Sequence, residues 1–125
     1  MIRGIGIDVV KVSRMRSWLD QPTLLERFFH PSEVATISAR GPSAVLALSA
    51  RFAAKEAFGK ALGSGLRGFS LREVYVSNDE AGKPALQLEG RARDAMLGIG
   101  GVRVFLSLTH EEDNAIAMIV IEGDG

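Results

Sequence analysis

The stretch from Ser43 to Leu62 limits the fold of this chain most, because it is the longest run of helix-forming residues. It is rich in alanine, and leucine, lysine, glutamate and arginine fill many of its other positions. These residues have high helix propensity. At about 100° per residue, the alanines at positions 47, 50, 54, 57 and 61 form one narrow stripe. Such a stripe lets another backbone approach closely. The sequence therefore predicts a long, central helix that ends at Gly63-Ser64-Gly65.

Length and composition favour one domain over residues 1–125. A chain of 125 residues without cysteine can bury a core without disulfides and has no thiolate metal site. No apolar run reaches the roughly 18–20 residues of a membrane span, and no basic and apolar leader precedes the first strand pattern. We therefore expect a cytoplasmic protein with no membrane contact.

The net charge of zero is unevenly distributed. Through Arg72 there are eleven basic and five acidic residues, a balance of +6, and from Glu73 onward there are four and ten, a balance of −6. A solvated helix surface is the commoner reason for such a bias, and a basic face for an acidic partner is the functional one. A nucleic-acid-binding module is disfavoured, because aromatic residues are few and no reader motif is present.

Short helices and strands surround the long helix. Pro31 fits the first turn of a helix that runs to about Ala39, and Ser13 and Ser43 are predicted helix caps. The predicted strands are 2–10, 71–77, 85–88, 102–109 and 115–121, the second and third forming a hairpin; a further short helix is predicted at 90–97. The last strand is apolar on both faces, so we expect cover on both faces through self-association. The fold class is α+β, with a small antiparallel sheet packed on the long helix.

Several polar residues stand out in this frame, each with an ordinary alternative reading. Asp8 lies in an apolar strand behind Gly4 and Gly6, so its carboxylate needs a backbone donor, a cation or a metal. Glu56 and Lys60 are one helical turn apart, which is the spacing of a common surface ion pair. Two carboxylates from separate elements, Asp8 and Glu56, would also suit Mg²⁺.

Histidines and the remaining charges of the long helix are weaker signals. His30 before Pro31 is predicted to be structural, and His110 at a strand end is by default a loop histidine. Arg51 and Lys55 alone indicate nothing beyond a charged helix edge.

The order of these features resembles holo-acyl-carrier-protein synthase, the small bacterial type of 4′-phosphopantetheinyl transferase. The resemblance extends from Ile2 to Glu122. It is carried by GIDVV at 6–10, RFAAKEAFGKALGSGL at 51–66, GKP at 82–84, LSLTH at 106–110 and AIAMIVIE at 115–122. It implies the phosphopantetheinyl transferase fold and a homotrimer with active sites between subunits.

The resemblance also implies an activity. Phosphopantetheine would pass from coenzyme A to a serine of an apo acyl carrier protein in fatty acid biosynthesis, with release of adenosine 3′,5′-bisphosphate. Asp8 and Glu56 correspond to ligands of a catalytic Mg²⁺ on the coenzyme A pyrophosphate. Lys60 corresponds to a phosphate-binding lysine and proton donor to the leaving group. The base that activates the serine is left open between Glu56 and a metal-bound water.

Further residues are assigned to substrate contacts by the same resemblance. Arg51 corresponds to a 3′-phosphate contact. Two backbone segments are expected to approach the nucleotide, Gly63-Ser64-Gly65 and Lys83-Pro84. Thr109 and His110 correspond to contacts at the nucleotide end of coenzyme A.

Arg14 and Arg16 on the first helix correspond to the docking site for the acidic carrier. On a helical wheel, Arg51 and Lys60 point about 180° apart. We therefore expect them to serve different interfaces of a trimer. A transferase for a secondary-metabolism carrier and a non-catalytic carrier-binding protein remain as alternatives.

Overall fold

The structure, a computed structural model, describes all 125 residues. Five helices and five strands follow in the order β1 Ile2–Lys11, α1 Val12–Met15, α2 Pro22–Phe28, α3 Pro31–Ser38, α4 Ala44–Leu62, β2 Val74–Asn78, β3 Pro84–Leu88, α5 Gly90–Gly98, β4 Arg103–Glu111 and β5 Asn114–Glu122. Turns of 3₁₀ helix occupy Arg16–Asp20, Gly41–Ser43 and Leu71–Glu73. The predicted α+β class is confirmed. None of the helices combines the length and apolarity that crossing a membrane requires.

The main sheet is antiparallel, with strand order β1–β5–β4, and β2 pairs with β3 as a separate hairpin. Its register places Asp8 beside Ala117 of β5, and Ala117 beside Leu108 of β4. Neighbouring strands lie about 4.8 Å apart, so β1 and β4 are separated by about 10 Å. The end of β4 therefore lies level with the Asp8 end of β1.

Helix α4 packs directly on β1 through small residues of both elements. A Cβ atom added to Gly6 would stand 1.9 Å from the carbonyl oxygen of Ala57, and one added to Gly4 would stand 2.0 Å from that of Ala61. Both distances are shorter than any real contact, so only glycine fits. The close approach predicted from the alanine stripe is confirmed. The helix ends at Gly63, whose φ of 84° is in the left-handed region.

Two predicted helix caps are wrong. The Ser43 hydroxyl donates to the Arg40 carbonyl at 3.0 Å and caps nothing in α4, because residues 41–43 already curl into a 3₁₀ turn. Helix α1 begins at Val12 rather than after Ser13. The Ser13 hydroxyl donates instead to Asp113, a residue of the β4–β5 turn.

Capping boxes stand at two other positions. His30 Nδ1 accepts from the Ser32 amide while the Glu33 carboxylate accepts from the His30 amide, so His30 begins α3 in the structural role predicted for it. A second box curls residues 71–73 into a 3₁₀ turn. Strand β2 therefore begins at Val74, and not at Leu71 as the alternation of residues suggested.

A buried ion pair ties helix α3, helix α4 and the hairpin together. Lys55 Nζ donates to Glu33 Oε1 at 2.6 Å, to the Leu71 carbonyl at 3.1 Å and to the Val74 carbonyl. Glu33 Oε2 accepts from the Val76 amide at 3.1 Å. Both charged side chains are completely buried. The hairpin is thus held against α4 through charged hydrogen bonds.

The two faces of the main sheet differ in cover. One face lies against α4, and its buried residues on β5 are Ala115, Ala117, Ile119 and Ile121. The opposite face carries apolar side chains that are between 41% and 57% exposed, namely Ile5, Ile7, Val9, Phe105 and Met118. The expectation that the sheet needs cover on both faces is therefore met on one face within this chain.

Candidate functional site

Asp8 lies on the face of β1 that meets α4, close to the end of the strand. Its Oδ1 accepts a hydrogen bond from Lys60 Nζ at 2.8 Å, and the same ammonium donates to the Ile7 carbonyl at 3.1 Å. The hydrogen bond to Asp8, followed by the charge of Asp8, raises the pKa of Lys60. Lys60 therefore stays cationic at neutral pH. The cation that Asp8 was expected to need comes from a residue 52 positions away.

Glu56 lies one turn before Lys60 on the side of α4 that faces β1. The Lys60 ion pair is with Asp8, so the local pair between Glu56 and Lys60, the ordinary alternative, is not what the structure forms. Burial raises the pKa of Glu56, the negative charge of Asp8 raises it further, and Lys60 partly lowers it. The two carboxylates are thus close enough to repel each other.

Asp8 and Glu56 line one cavity of about 160 Å³, together with the basic residues Lys11 and Arg14. The chain contains no group of three or more acidic, histidine or cysteine side chains that could hold a metal ion. Mg²⁺ is commonly held by one or two carboxylates, while water and substrate phosphates complete its shell. Two repelling carboxylates in a cavity with basic side chains fit a divalent cation that arrives with a phosphate ligand.

Arg51 occupies a different side of α4. Its Nη2 donates to Asn78 Oδ1 at 3.0 Å, its Nη1 donates to the Ala47 carbonyl at 3.3 Å, and its Nε has no partner. Only 4% of the residue is exposed, and burial lowers its pKa against the opposing effect of Glu33. Arg51 therefore faces the hairpin while Lys60 faces β1, as the helical wheel predicted.

The β2–β3 hairpin brings Lys83 and Pro84 to the side of α4 that Arg51 faces. Pro84 pairs with Asn78, the residue that holds the Arg51 guanidinium. Lys83 precedes it at the end of the turn, with an exposed side chain, and its amide donates to Asp79 Oδ1 at 2.8 Å. These residues form a second group, separate from the Asp8 cavity in this chain.

Gly63, Ser64 and Gly65 follow Lys60 directly at the end of α4. Gly63 and Ser64 are exposed. The Gly65 amide donates to the Gly59 carbonyl at 3.1 Å, which folds the glycine turn back on the helix. Their backbone lies next to the last turn of α4, which carries Lys60, so these residues belong with the group formed by Asp8, Glu56 and Lys60.

Thr109 and His110 lie near the end of β4 with exposed side chains. His110 pairs with Ala115, whose side chain faces α4, whereas Thr109 is on the open face with Ile116. Successive strand residues point to opposite faces, so the two side chains do not converge on one point. Both lie across β5 from the Asp8 end of β1.

Arg14 lies in α1, the short helix that directly follows β1, and Arg16 comes just after this helix; both residues are exposed. Arg14 lines the Asp8–Glu56 cavity. Arg16 begins the 3₁₀ turn that continues α1. Of the two predicted docking residues, Arg14 therefore stands beside the predicted catalytic residues Asp8 and Glu56.

Sequence analysis missed residues that complete both groups. Lys11 lines the Asp8 cavity, and Asn78 accepts from Arg51. Lys11 had no local signal except its position after the apolar strand. Asn78 was interpreted only as a turn residue.

Comparison with known proteins identifies the family. Residues 4–117 match the family model described as the 4′-phosphopantetheinyl transferase superfamily. A holo-[acyl-carrier-protein] synthase of Treponema denticola is 50% identical over 123 residues, which are 98% of this chain and 100% of that protein.

Solved structures agree with this match. A holo-[acyl-carrier-protein] synthase from Neisseria meningitidis has a TM-score of 0.87 at 36% identity, covering 98% of this chain and 99% of that one. The corresponding protein from Bacillus anthracis, solved in complex with coenzyme A, has a TM-score of 0.80 at 33% identity, with 99% of both chains covered. The resemblance found in the sequence motifs is therefore confirmed.

Proposed function

The chain belongs to the 4′-phosphopantetheinyl transferase superfamily, and we propose that it transfers phosphopantetheine from coenzyme A to a serine of an apo acyl carrier protein in fatty acid biosynthesis. The serine oxygen forms a bond to the phosphorus that carries the pantetheine group. The bond from that phosphorus to the bridging pyrophosphate oxygen breaks, and adenosine 3′,5′-bisphosphate leaves. We propose that the protein acts in the cytoplasm, which the lack of cysteine fits.

Asp8 and Glu56 would hold Mg²⁺ together with the pyrophosphate of coenzyme A. When bound, the cation would neutralise charge on the phosphate oxygens. The raised pKa of Glu56, caused by burial and by Asp8, supports this role because a shared cation relieves both effects. It also makes Glu56 a candidate acceptor for the serine proton, with a water molecule as the other.

Lys60 would stabilise the departing phosphate. Its ammonium is held beside Asp8 at 2.8 Å, and this contact raises its pKa. Half of its side chain is exposed, so it can turn toward a ligand in the cavity. A charged donor at this point would neutralise the developing negative charge by a hydrogen bond to the leaving oxygen.

The convergence of Asp8, Glu56 and Lys60 beside Arg14 carries this proposal. The decisive experiment incubates the protein with coenzyme A, Mg²⁺ and an apo acyl carrier protein, then measures the intact mass of the carrier. We expect the carrier to gain one phosphopantetheine. If the wild-type protein is folded and the mass of the carrier does not change, the proposed transferase activity is refuted.

Metal dependence is tested in the same assay. Protein and substrates treated with a chelator should give no modified carrier, and excess Mg²⁺ should restore the product. Full activity in the chelator would refute the role of the carboxylate pair. Running a fatty acid carrier and a secondary-metabolism carrier side by side separates the two possible substrates.

We further propose that the protein is a homotrimer that buries the open face of its main sheet. Five large apolar side chains on that face are more than 40% exposed in the single chain, which is typical of an association surface. Light scattering should give the mass of three chains. Ile7→Glu should shift the mass toward one chain, whereas Leu97→Glu, at an equally apolar exposed position on α5, should not.

Shared active sites would explain the separation of Arg51 from Lys60. Arg51 faces the hairpin and Lys60 faces β1, so a ligand that contacts both would lie between two subunits. Trimers assembled from Arg51→Ala and Lys60→Ala chains should regain activity, because some interfaces combine both intact residues. If no mixture is more active than its components, the shared site is wrong.

Arg14 and Arg16 would receive the acidic surface of the carrier. We expect Arg14→Glu to raise KM for the carrier far more than KM for coenzyme A. The effect should weaken in salt, since exposed charges are screened beyond roughly 10 Å at 0.1 M. Equal changes in both constants would count against docking at Arg14.

A further inference from the structure

Helix α1 is anchored by a single residue 100 positions away. The Val12 amide donates to the Asp113 carbonyl at 2.8 Å, the Ser13 amide donates to Asp113 Oδ1 at 3.0 Å, and the Ser13 hydroxyl donates to Asp113 Oδ2 at 2.5 Å. The first amides of a helix lack partners within the helix itself. Lys11, at the capping position, makes no side-chain hydrogen bond to them. Asp113 therefore caps the N-terminus of α1, although it lies near the other end of the chain.

The turn that presents Asp113 carries backbone strain. Only two residues, Glu112 and Asp113, separate the ends of β4 and β5, and Glu112 is the one residue other than glycine with a positive φ, at 52°. Turns of this length usually place glycine, asparagine or aspartate there. The strained turn persists because the hydrogen bonds to α1 and the ladder of β4 with β5 fix it from both sides.

The position of Arg14 follows from this anchor. Arg14 comes directly after Ser13 and lines the Asp8–Glu56 cavity. Helix α1 has only four residues, so it has little intrinsic stability and depends on outside contacts for its direction. Three hydrogen bonds to Asp113 fix the first two residues, and therefore the direction in which Arg14 leaves the strand.

We propose that Asp113 is a positioning residue for the carrier protein, which holds Arg14 at the cavity by capping α1 from the β4–β5 turn. This inference rests on the proposed function, in which Arg14 receives the carrier. It assigns Asp113 no contact with the carrier or with coenzyme A.

Electrostatics and positioning predict opposite results when Asp113 is replaced. The carrier is acidic, so removing a nearby negative charge should by itself strengthen docking and lower KM for the carrier. Loss of the anchor should raise that KM. We expect Asp113→Ala to raise KM for the carrier about fivefold, the equivalent of about one net hydrogen bond, with KM for coenzyme A changed less than the carrier KM.

Two variants serve as controls. Asp113→Asn removes the same charge but can still exchange two hydrogen bonds with Ser13, so it should restore KM for the carrier to near the wild-type value. Glu112→Asn removes one charge from the same turn without removing the anchor, and asparagine tolerates a positive φ. It should leave KM for the carrier unchanged or lower it.

The dissociation constant for the apo carrier, measured by calorimetry, provides a readout that needs no turnover. It should weaken for Asp113→Ala by the same factor as KM. If Asp113→Ala does not fold, Ser13→Ala removes only the hydroxyl contact and should weaken binding about twofold.

The possible outcomes separate the two proposals. If the wild-type protein modifies the carrier and Asp113→Ala binds the carrier as tightly or more tightly, the role of Asp113 is wrong and the proposed function stands. Equal effects on carrier and coenzyme A also overturn that role, because they indicate a general structural defect. A wild-type protein that neither modifies nor binds the carrier overturns the proposed function and this inference together.

Discussion

Helix α4 carries two lysines that each pair with one carboxylate, and the two pairs are built in opposite ways. Lys55 and Glu33 are completely buried, and Lys55 Nζ donates to three oxygens. Lys60 and Asp8 are 54% and 15% exposed, and Asp8 lines an open cavity. Each pair joins a lysine of α4 to an acidic residue of another element, so the charges are the same and the surroundings differ.

This difference separates a pair that is fixed in the core from a pair that can exchange its partner. Burial lowers the pKa of Lys55, and the charge and hydrogen bond of Glu33 offset that effect, so both ions depend on each other. No group of the pair is left to bind anything else. Lys60 keeps solvent access and a raised pKa, and can exchange Asp8 for another anion. A buried, satisfied pair resists rearrangement, whereas an exposed pair permits it.

The largest effect should come from breaking the buried pair. Lys55→Met leaves Glu33 charged, buried and without its cation, which should lower the free energy of unfolding by about 4 kcal/mol. Chemical denaturation measures the change. Adding Glu33→Gln should recover part of the loss, because a neutral amide can still accept from one backbone amide.

The matched comparison is Lys60→Met, in which the same substitution removes an exposed ammonium. It should change the free energy of unfolding far less than Lys55→Met does. Similar losses for the two variants would mean that burial does not distinguish the pairs.

A smaller effect, on activity instead of stability, should follow from changing the exposed pair. Asp8→Asn removes the charge that pairs with Lys60 and would hold the cation, so kcat/KM should fall about a hundredfold. The melting temperature should stay close to that of the wild type. Asp94→Asn, at an exposed position on α5, is the control and should change neither. If Asp8→Asn keeps more than one tenth of the wild-type kcat/KM, Asp8 does not take part in the reaction.

Local patterns in the sequence predicted the framework well. Helix α4 was expected from Ser43 to Leu62 and runs from Ala44 to Leu62, because propensity and a glycine stop are properties of neighbouring residues. The contact between β1 and α4 was also predictable, since Gly4 and Gly6 match the alanine stripe in size. The order of the motifs then pointed to the family, and with it to Asp8 and Glu56.

Partners distant in sequence could not be predicted. Lys55 and Glu33 are 22 positions apart, and Glu33 by itself has only the pattern of a residue in the first turn of a helix. The spacing of Lys60 to Glu56 offered a local ion pair as the ordinary alternative, but the packing of α4 on β1 pairs Lys60 with Asp8. These pairings depend on how elements pack, and periodicity within one element contains no information about that.

The smallest expected effect concerns the pH dependence of stability and tests whether the exposed site is held under electrostatic strain. Burial and Asp8 raise the pKa of Glu56 above its ordinary value of 4.5, so the folded state binds this proton more tightly than the unfolded state. The contribution of Glu56 to the free energy of unfolding must then fall as pH rises from 4.5 through the folded pKa. Glu56→Gln lacks this proton, so its stability relative to wild type should increase through that interval and then level off.

Denaturation curves in chelator, from below pH 4.5 to neutrality, measure the difference. Parallel curves for the two proteins would mean that Glu56 is not strained. Repeating the series with Mg²⁺ sharpens the test, because a cation between Glu56 and Asp8 favours both carboxylates and should reduce the difference, whereas no comparable response is expected from the buried pair of Lys55 and Glu33.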